Sequence, residues 1–290
     1  MNNLNMKYII KLMRPKQWLK NIFVLAALIF SGKFSNGHIL LLNLYVFILF
    51  SLISSAVYIL NDIVDVEKDK QHPQKKYRPI ASGKVSKIQA LILELILVCI
   101  VLFASYSINI KLLFILLTYY IMNILYSFIL KNVVIVDVMI ITMGFVLRVI
   151  SGSIVTNVQL SPWLILCTIL ISLFLALNKR RSEIVTLKDK RGLHRKILEE
   201  YSVELIDSML TIVTPSILIT YCLYTFSSIQ SRTMMITIPF VLYGIFRYQY
   251  LVTKKNVGGK PEDVFQNDVP FLIDVVIWAI LIIGIIYFKL

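Results

Sequence analysis

The sequence predicts an all-α, polytopic membrane protein with nine crossings, and three observations carry that prediction. Hydrophobic residues make up 58% of the 290 and charged residues only 16%, a balance that soluble domains rarely have. The apolar residues fall in runs long enough to cross a bilayer. Lys and Arg, which leave a net charge of +14, gather on alternate loops. That distribution argues for membrane topology and anionic substrates, not for nucleic acid.

Lipid offers no water to an open backbone, so every crossing is expected to be helical. Residues 1–16 read as an interfacial amphipathic helix with Tyr8, Ile9, Leu12 and Met13 on one side. The nine apolar segments then span 18–32, 39–60, 88–107, 112–130, 133–156, 161–177, 205–229, 233–252 and 271–288. No long linker interrupts them, so 1–290 is expected to be a single integral membrane domain. The N-terminus lacks the pattern of a cleavable signal peptide. Cys99, Cys167 and Cys222 lie in apolar runs without a CxxC pair, which argues against disulfides and zinc.

The cations set the orientation. The N-terminal segment carries five Lys and Arg, the 61–87 loop seven, the 178–204 loop eight and the 254–270 loop three. The opposite side has Lys33, Lys111, Arg232 and Lys289. The N-terminus and the three large loops are therefore expected on the cytoplasmic side of the cytoplasmic membrane, with the C-terminus outside. A site capped by these loops draws a polar substrate from the cytosol and a lipid from the bilayer.

The densest chemistry lies in 61–83, NDIVDVEKDKQHPQKKYRPIASG. On a helical extension of the preceding crossing, Asp62, Asp65 and Asp69 stand at i, i+3 and i+7, on one face. Carboxylates so close repel unless a cation holds them. Oxygen-only donors suit Mg²⁺, which commonly bridges to substrate phosphates. Lys75, Lys76 and Arg78 follow, and suit phosphate oxygens. A second constellation, Asn178-Lys179-Arg180-Arg181-Ser182-Glu183, ends the sixth crossing, with Lys179 and Glu183 on one face. A third runs from Arg247 through Gly258-Gly259 to Asp268. Arg247 is intramembrane, and such charges are usually functional. Lys20 stands at the entry to the first crossing, beside the interfacial anchor Trp18. Tyr126 and Ser127 are candidates for a phosphate contact. Asp137 and Arg148 share a face and are expected to point inward, with Ser151-Gly152-Ser153 offering a helix break nearby. Glu94 reads as structural.

Asn61 to Asp69 fits the pattern NDxxDxxxD, and with the nine crossings it resembles the UbiA superfamily of intramembrane prenyltransferases. That resemblance implies a helical bundle around a central cavity open to the cytoplasm, with Mg²⁺ and a diphosphate held at the aspartates. The usual second aspartate motif is missing: NKRRSE stands in its place, and Asp189 has no acid four residues later. The blocks RPKQWLKN (14–21), HPQKKYRPIASG (72–83), YSFILKNVVIVDV (126–138), GFVLR (144–148), NKRRSE (178–183) and GGKPEDV (258–264) resemble a branch of the superfamily that transfers phosphoribose.

The branch implies phosphoribosyl diphosphate as donor and a polyprenyl phosphate as nucleophile, with pyrophosphate released and the product entering cell-envelope glycan synthesis. On that reading Asp62, Asp65 and Asp69, helped by Asn61, hold Mg²⁺. Lys75 and Arg78 neutralise the leaving group. Lys179, Arg180 and Glu183 bind the donor, and Lys20, Tyr126 and Arg247 are further phosphate contacts. One acidic motif among several basic clusters suits a donor with two phosphorylated ends and an anionic lipid. The rival enzyme is a prenyltransferase or terpene cyclase acting on a prenyl diphosphate. A transporter is the rival from another class, though no inverted repeat with broken helices is evident. A homo-oligomer is compatible with the sequence, which leaves assembly open.

Overall fold

The structure is a computed structural model that describes residues 6–72, 74–187, 197–227, 232–255, 264 and 267–289. A short α1 (Met6–Met13) leads, through a 3-10 helix, into α2 (Ala26–Phe30). Eight helices long and apolar enough to cross a membrane follow among the described residues. They are α3 (Gly37–Val64), α5 (Lys87–Ile108), α6 (Ile110–Phe128), α7 (Val136–Thr156), α8 (Pro162–Leu187), α10 (Val203–Ser227), α11 (Ile238–Lys254, preceded by a 3-10 turn from Arg232) and α12 (Val269–Phe288). Two short helices, α4 (Val66–Gln71) and α9 (Ile197–Glu200), lie between them.

The first predicted segment, 18–32, accounts for the difference between nine and eight. It is not one long α-helix, because a 3-10 helix covers Pro15–Leu25 before α2 begins. Arg14 takes the left-handed conformation, φ 51 and ψ 61, directly before Pro15, so α1 cannot run through. A 3-10 helix stacks residues i and i+3. That stacking puts Trp18, Asn21 and Val24 on one ridge. Trp18 Nε1 donates to Ser55 Oγ at 3.0 Å, and Asn21 Nδ2 to Ser51 Oγ at 3.0 Å and Ser54 Oγ at 3.3 Å.

Boundaries elsewhere follow from local chemistry. Asn36 caps α3 by accepting from the amides of His38 and Ile39. Ser86 and Gln89 form a reciprocal capping box at the start of α5. Asn109 ends α5 and caps α6 in one residue. The Ser151-Gly152-Ser153 triplet does not break α7. Its hydroxyls bond back to the carbonyls of Arg148 and Ile150 at 2.7 and 2.8 Å, so the helix keeps its path. Gly152 serves a close approach instead: a Cβ there would lie 1.9 Å from the carbonyl oxygen of Val24.

The chain divides into two compact units. The first comprises 1–28, 36–140 and 147–158. In it α3 packs against α5, α6 and the 3-10 helix, around Val46, Phe50, Ile53, Val101 and Leu116. Arg148 is buried in this unit. Its Nε donates to Asn21 Oδ1 at 2.8 Å and its Nη2 to the Tyr119 hydroxyl at 3.1 Å. The guanidinium also lies 4.9 Å from the Phe50 ring centroid and 5.0 Å from that of Tyr119. Asp137 is fully buried, and Glu94 accepts a hydrogen bond from Tyr120. The second unit comprises 29–35, 141–146 and 159–290. There α8 packs along α10, and α11 along α12. The Tyr221 hydroxyl links Thr237 to Trp278 Nε1, at 2.6 and 3.0 Å.

Gly152→Ala is expected to destabilise the protein by roughly 1–3 kcal/mol, the usual range for overpacking. Gly37→Ala, where nothing lies within 4 Å, is the control and should change little. Thermal unfolding of both variants in detergent checks the contrast.

Candidate functional site

The acidic motif is built at the C-terminal end of α3. Asp62 lies in the last turn of α3, Asp65 at the junction, and Asp69 in α4. The two helices meet at Asp65, φ −92 and ψ 11, while the backbone bonds Asp65 N to Asn61 O and Asp69 N to Asp65 O are kept. Asp62 and Asp69 stay on one side of this shallow joint and are 2% and 3% exposed. Arg78 Nη1 bridges them, at 2.9 Å from Asp62 Oδ1 and 2.6 Å from Asp69 Oδ2. Asp62 Oδ1 also accepts from Arg14 Nη2. Asp65, more exposed, accepts from Lys131 Nζ at 2.8 Å. Asn61 accepts from the Ser127 hydroxyl.

The expected three-carboxylate ligand set is thus arranged as a pair plus one. By helical spacing Asp65 lies about 60° around from Asp62 and about 40° from Asp69, and at the junction of the two helices its carboxylate meets Lys131. Among the described residues no three His, Cys, Asp or Glu side chains gather closely enough to enclose an ion. The pair itself fits a hard cation. Its donors are all oxygen, and two carboxylates converge on one positive charge, that of Arg78. Mg²⁺ is usually held by one or two carboxylates and completed by substrate phosphates.

The basic residues around the pair are locally positioned. His72 Nδ1 accepts from the amides of Gln74 and Lys75, and Arg78 N bonds to Lys75 O at 2.9 Å. This turn carries Lys75 and presents Arg78 to the carboxylates. From α1, Lys11 Nζ donates to the Tyr77 carbonyl at 3.2 Å, and Lys84 lies 4.8 Å over the Tyr8 ring. Lys20 Nζ donates to Gln17 at 2.6 Å. Tyr126, on α6, is half-buried beside the buried Ser127.

In the second unit the NKRRSE segment is helical and its residues divide by face. Arg180 is fully buried and donates to Glu183 at 2.6 Å, and Lys179 is half-buried. Asn178 and Arg181 face a cavity of about 450 Å³, lined also by Asp207, Thr214, Gln249 and Tyr250. Arg181 holds Asp207 through two hydrogen bonds, at 2.6 and 3.2 Å. Arg247 grips Asp268 through two bonds, at 3.0 and 2.9 Å, and Asp268 caps α12 at the Phe271 amide. This places Arg247 in a helix-terminus clamp. Gly258-Gly259 lies outside the described residues.

Sequence reasoning passed over Arg14, Lys131 and Asp207, and named Arg181 within NKRRSE without giving it a role. A cation directly before Pro15, and a lone Lys in an otherwise uncharged loop, were the available signals for the first two. The partnership of Arg181 with Asp207 spans 26 positions and leaves no local trace.

The UbiA prenyltransferase family model matches residues 21–267. The chain belongs to the UbiA prenyltransferase family. Within this UbiA family, a decaprenyl-phosphate phosphoribosyltransferase from Mycolicibacterium smegmatis is 30% identical over 297 residues, which cover 97% of this chain and 93% of that one. The protein so named from Mycobacterium tuberculosis is 29% identical over 265 residues, or 90% and 88% of the two chains. A UbiA homologue from Archaeoglobus fulgidus, solved bound to GPP and Mg²⁺, superposes with a TM-score of 0.73 at 17% identity, covering 97% of this chain and 99% of that one. At that identity the likeness speaks for the UbiA fold alone.

The Arg247–Asp268 clamp has a pH signature. The hydrogen bond from Arg247, with that from the Phe271 amide, holds the Asp268 carboxyl below the usual carboxylate range. A depressed folded-state pKa gives stability that is present above the unfolded value, about 4, and is lost as pH falls through the folded value. The gap in thermal midpoint between wild type and Arg247→Gln is therefore expected to be widest above about pH 5 and to close on acidification. A gap of constant size from neutral to acid pH would remove the clamp from the account.

Proposed function

We propose that this protein transfers 5-phosphoribose from phosphoribosyl diphosphate to a polyprenyl phosphate, releasing pyrophosphate. The observation that carries the reading is the match along 97% of the chain to a phosphoribosyltransferase. It is joined to a single acidic motif, with Arg180 and Glu183 where a second aspartate motif would stand. A donor with phosphate at both ends, and a lipid that is itself a phosphate, call for several cationic contacts and one carboxylate-borne metal.

Asp62 and Asp69, with Asp65 and Asn61 beside them, would hold Mg²⁺. The ion would supply charge neutralisation and a template for the diphosphate. Arg78 and Lys75 meet the charge that builds on the departing pyrophosphate. As the bond from ribosyl C1 to the pyrophosphate oxygen breaks, C1 gains oxocarbenium character. A lipid phosphate oxygen attacks C1 from the opposite face, forming the new C1–O bond with inversion. The attacking phosphate is already anionic near neutral pH, so no side chain needs to remove a proton. Lys179 and Arg180 bind the donor, with Glu183 orienting Arg180. Lys20, Tyr126 and Arg247 are further candidates for phosphate contacts. The active site and the N-terminus lie on the cytoplasmic side of the cytoplasmic membrane and the C-terminus outside. The product serves cell-envelope glycan synthesis.

The test is incubation of purified protein with Mg²⁺, labelled phosphoribosyl diphosphate and a polyprenyl phosphate. Label is expected in the lipid fraction, with pyrophosphate in solution. Turnover only with a prenyl diphosphate and an acceptor would replace this reading with ordinary prenyl transfer. Asp62→Asn and Asp65→Asn should each abolish transfer while the protein stays monodisperse, and near-wild-type rates in both at saturating Mg²⁺ would exclude the metal assignment. Lys179→Ala should weaken donor binding about ten- to a hundred-fold, the loss of one charge-assisted hydrogen bond of roughly 1.5–3 kcal/mol. Isothermal titration of donor checks this. Reporter fusions at the two termini should report opposite sides of the membrane.

A further inference from the structure

Three carboxylates lie at and just beyond the end of α3, and three cations from outside the NDxxDxxxD motif answer them. Arg14 reaches Asp62 from the N-terminal segment, Arg78 reaches Asp62 and Asp69, and Lys131 reaches Asp65. The contacts use one oxygen of each carboxylate: Asp62 Oδ1, Asp69 Oδ2 and Asp65 Oδ1. Asp62 Oδ1 accepts from two guanidinium groups at once, which fills both of its lone pairs. A metal ion and these N–H groups cannot share that oxygen. The cations are also poorly hydrated where they stand: the side chains of Arg14, Arg78 and Lys131 are 25%, 27% and 12% exposed.

We propose that Arg14, Arg78 and Lys131 are internal counter-cations that a divalent ion must displace, so that the motif takes its metal together with a diphosphate rather than alone. Metal by itself would strand positive charge in half-buried surroundings, which is costly. A diphosphate arriving with the metal gives the displaced cations new partners. Arg14 can respond only through its side chain. Its backbone is fixed in the left-handed conformation before Pro15, on a 3-10 helix tied to α3 through Trp18 and Asn21. Its guanidinium also lies 5.2 Å from the Tyr58 ring centroid, one helical turn before Asp62. This inference rests on the proposed metal site at Asp62 and Asp69 and adds to it a coupling between two ligands.

The experiment measures Mn²⁺ binding to the full-length protein in detergent by electron paramagnetic resonance of the free ion. It is done with and without inorganic pyrophosphate, and corrected for complexation of the two in solution. In the wild type pyrophosphate should tighten Mn²⁺ binding. Arg14→Gln and Lys131→Met should each bind Mn²⁺ alone more tightly, by about fivefold or more, and lose a like factor of the pyrophosphate enhancement, because coupling is reciprocal. Lys16→Gln removes an exposed charge two residues from Arg14 and should alter neither number by more than about twofold, which separates exchange from bulk charge. Arg14→Lys keeps a cation and should stay near wild type. If Arg14→Gln proves aggregated, Lys131→Met carries the test. Unchanged Mn²⁺ affinity and unchanged enhancement in Arg14→Gln and Lys131→Met overturn the exchange while leaving the metal site standing. No Mn²⁺ binding by wild type with pyrophosphate, or binding that survives Asp62→Asn, overturns the metal site and the exchange with it.

Discussion

The burial of Asp62 is the constraint from which the first unit follows. Its carboxylate is 2% exposed and lies in the last turn of α3, where the helix dipole disfavours an anion. A buried charge left unpaired costs several kcal/mol, about 3–5 when one partner of a buried pair is removed. Two guanidinium groups meet that demand, and each ties down a stretch of chain. Arg14 fixes the end of α1 and the start of the 3-10 helix. Arg78 fixes the turn after α4. The loops around the motif are ordered because the carboxylates require cations, and the cations come from those loops.

The second unit shows the same physics with the signs exchanged. Three of its arginines lie within long helices, and each is answered by an acid: Arg180 by Glu183, Arg181 by Asp207, Arg247 by Asp268. Arg180 is fully buried. Arginine suits these places because its planar fork matches a carboxylate at two points and stays charged wherever it is put. A unit whose cations are held rigidly can recognise phosphate geometry, whereas mobile surface lysines recognise only charge.

Much of this was legible in the chain. Long apolar runs and alternating basic loops require membrane helices whatever their packing, so the eight long helices follow from solvent physics. NDxxDxxxD was legible because its spacing is local. What escaped was non-local or turned on backbone detail. Arg14 and Lys131, partners of Asp62 and Asp65, lie 48 and 66 positions away, and no periodicity records them. Asp65 was grouped with its neighbours because helical spacing brings it near them, yet at the junction of α3 and α4 it takes a different partner, Lys131. The triplet at Ser151 looked like a break because glycine weakens helices. Its role is to admit a neighbouring backbone.

The 3-10 helix also measures length. Trp18, Asn21 and Val24 recur every third residue and touch successive levels of the first unit, Ser55, then Ser51 and Ser54, then Gly152. At its lower end the same segment is pinned by Arg14 to Asp62. With three residues per turn and about 2 Å of rise per residue, adding or removing one residue would turn the ridge by about 120° and slide it past its partners. The stretch from Arg14 to Val24 is therefore a ruler with fixed graduations: its side chains can vary where they face away, but its residue count cannot.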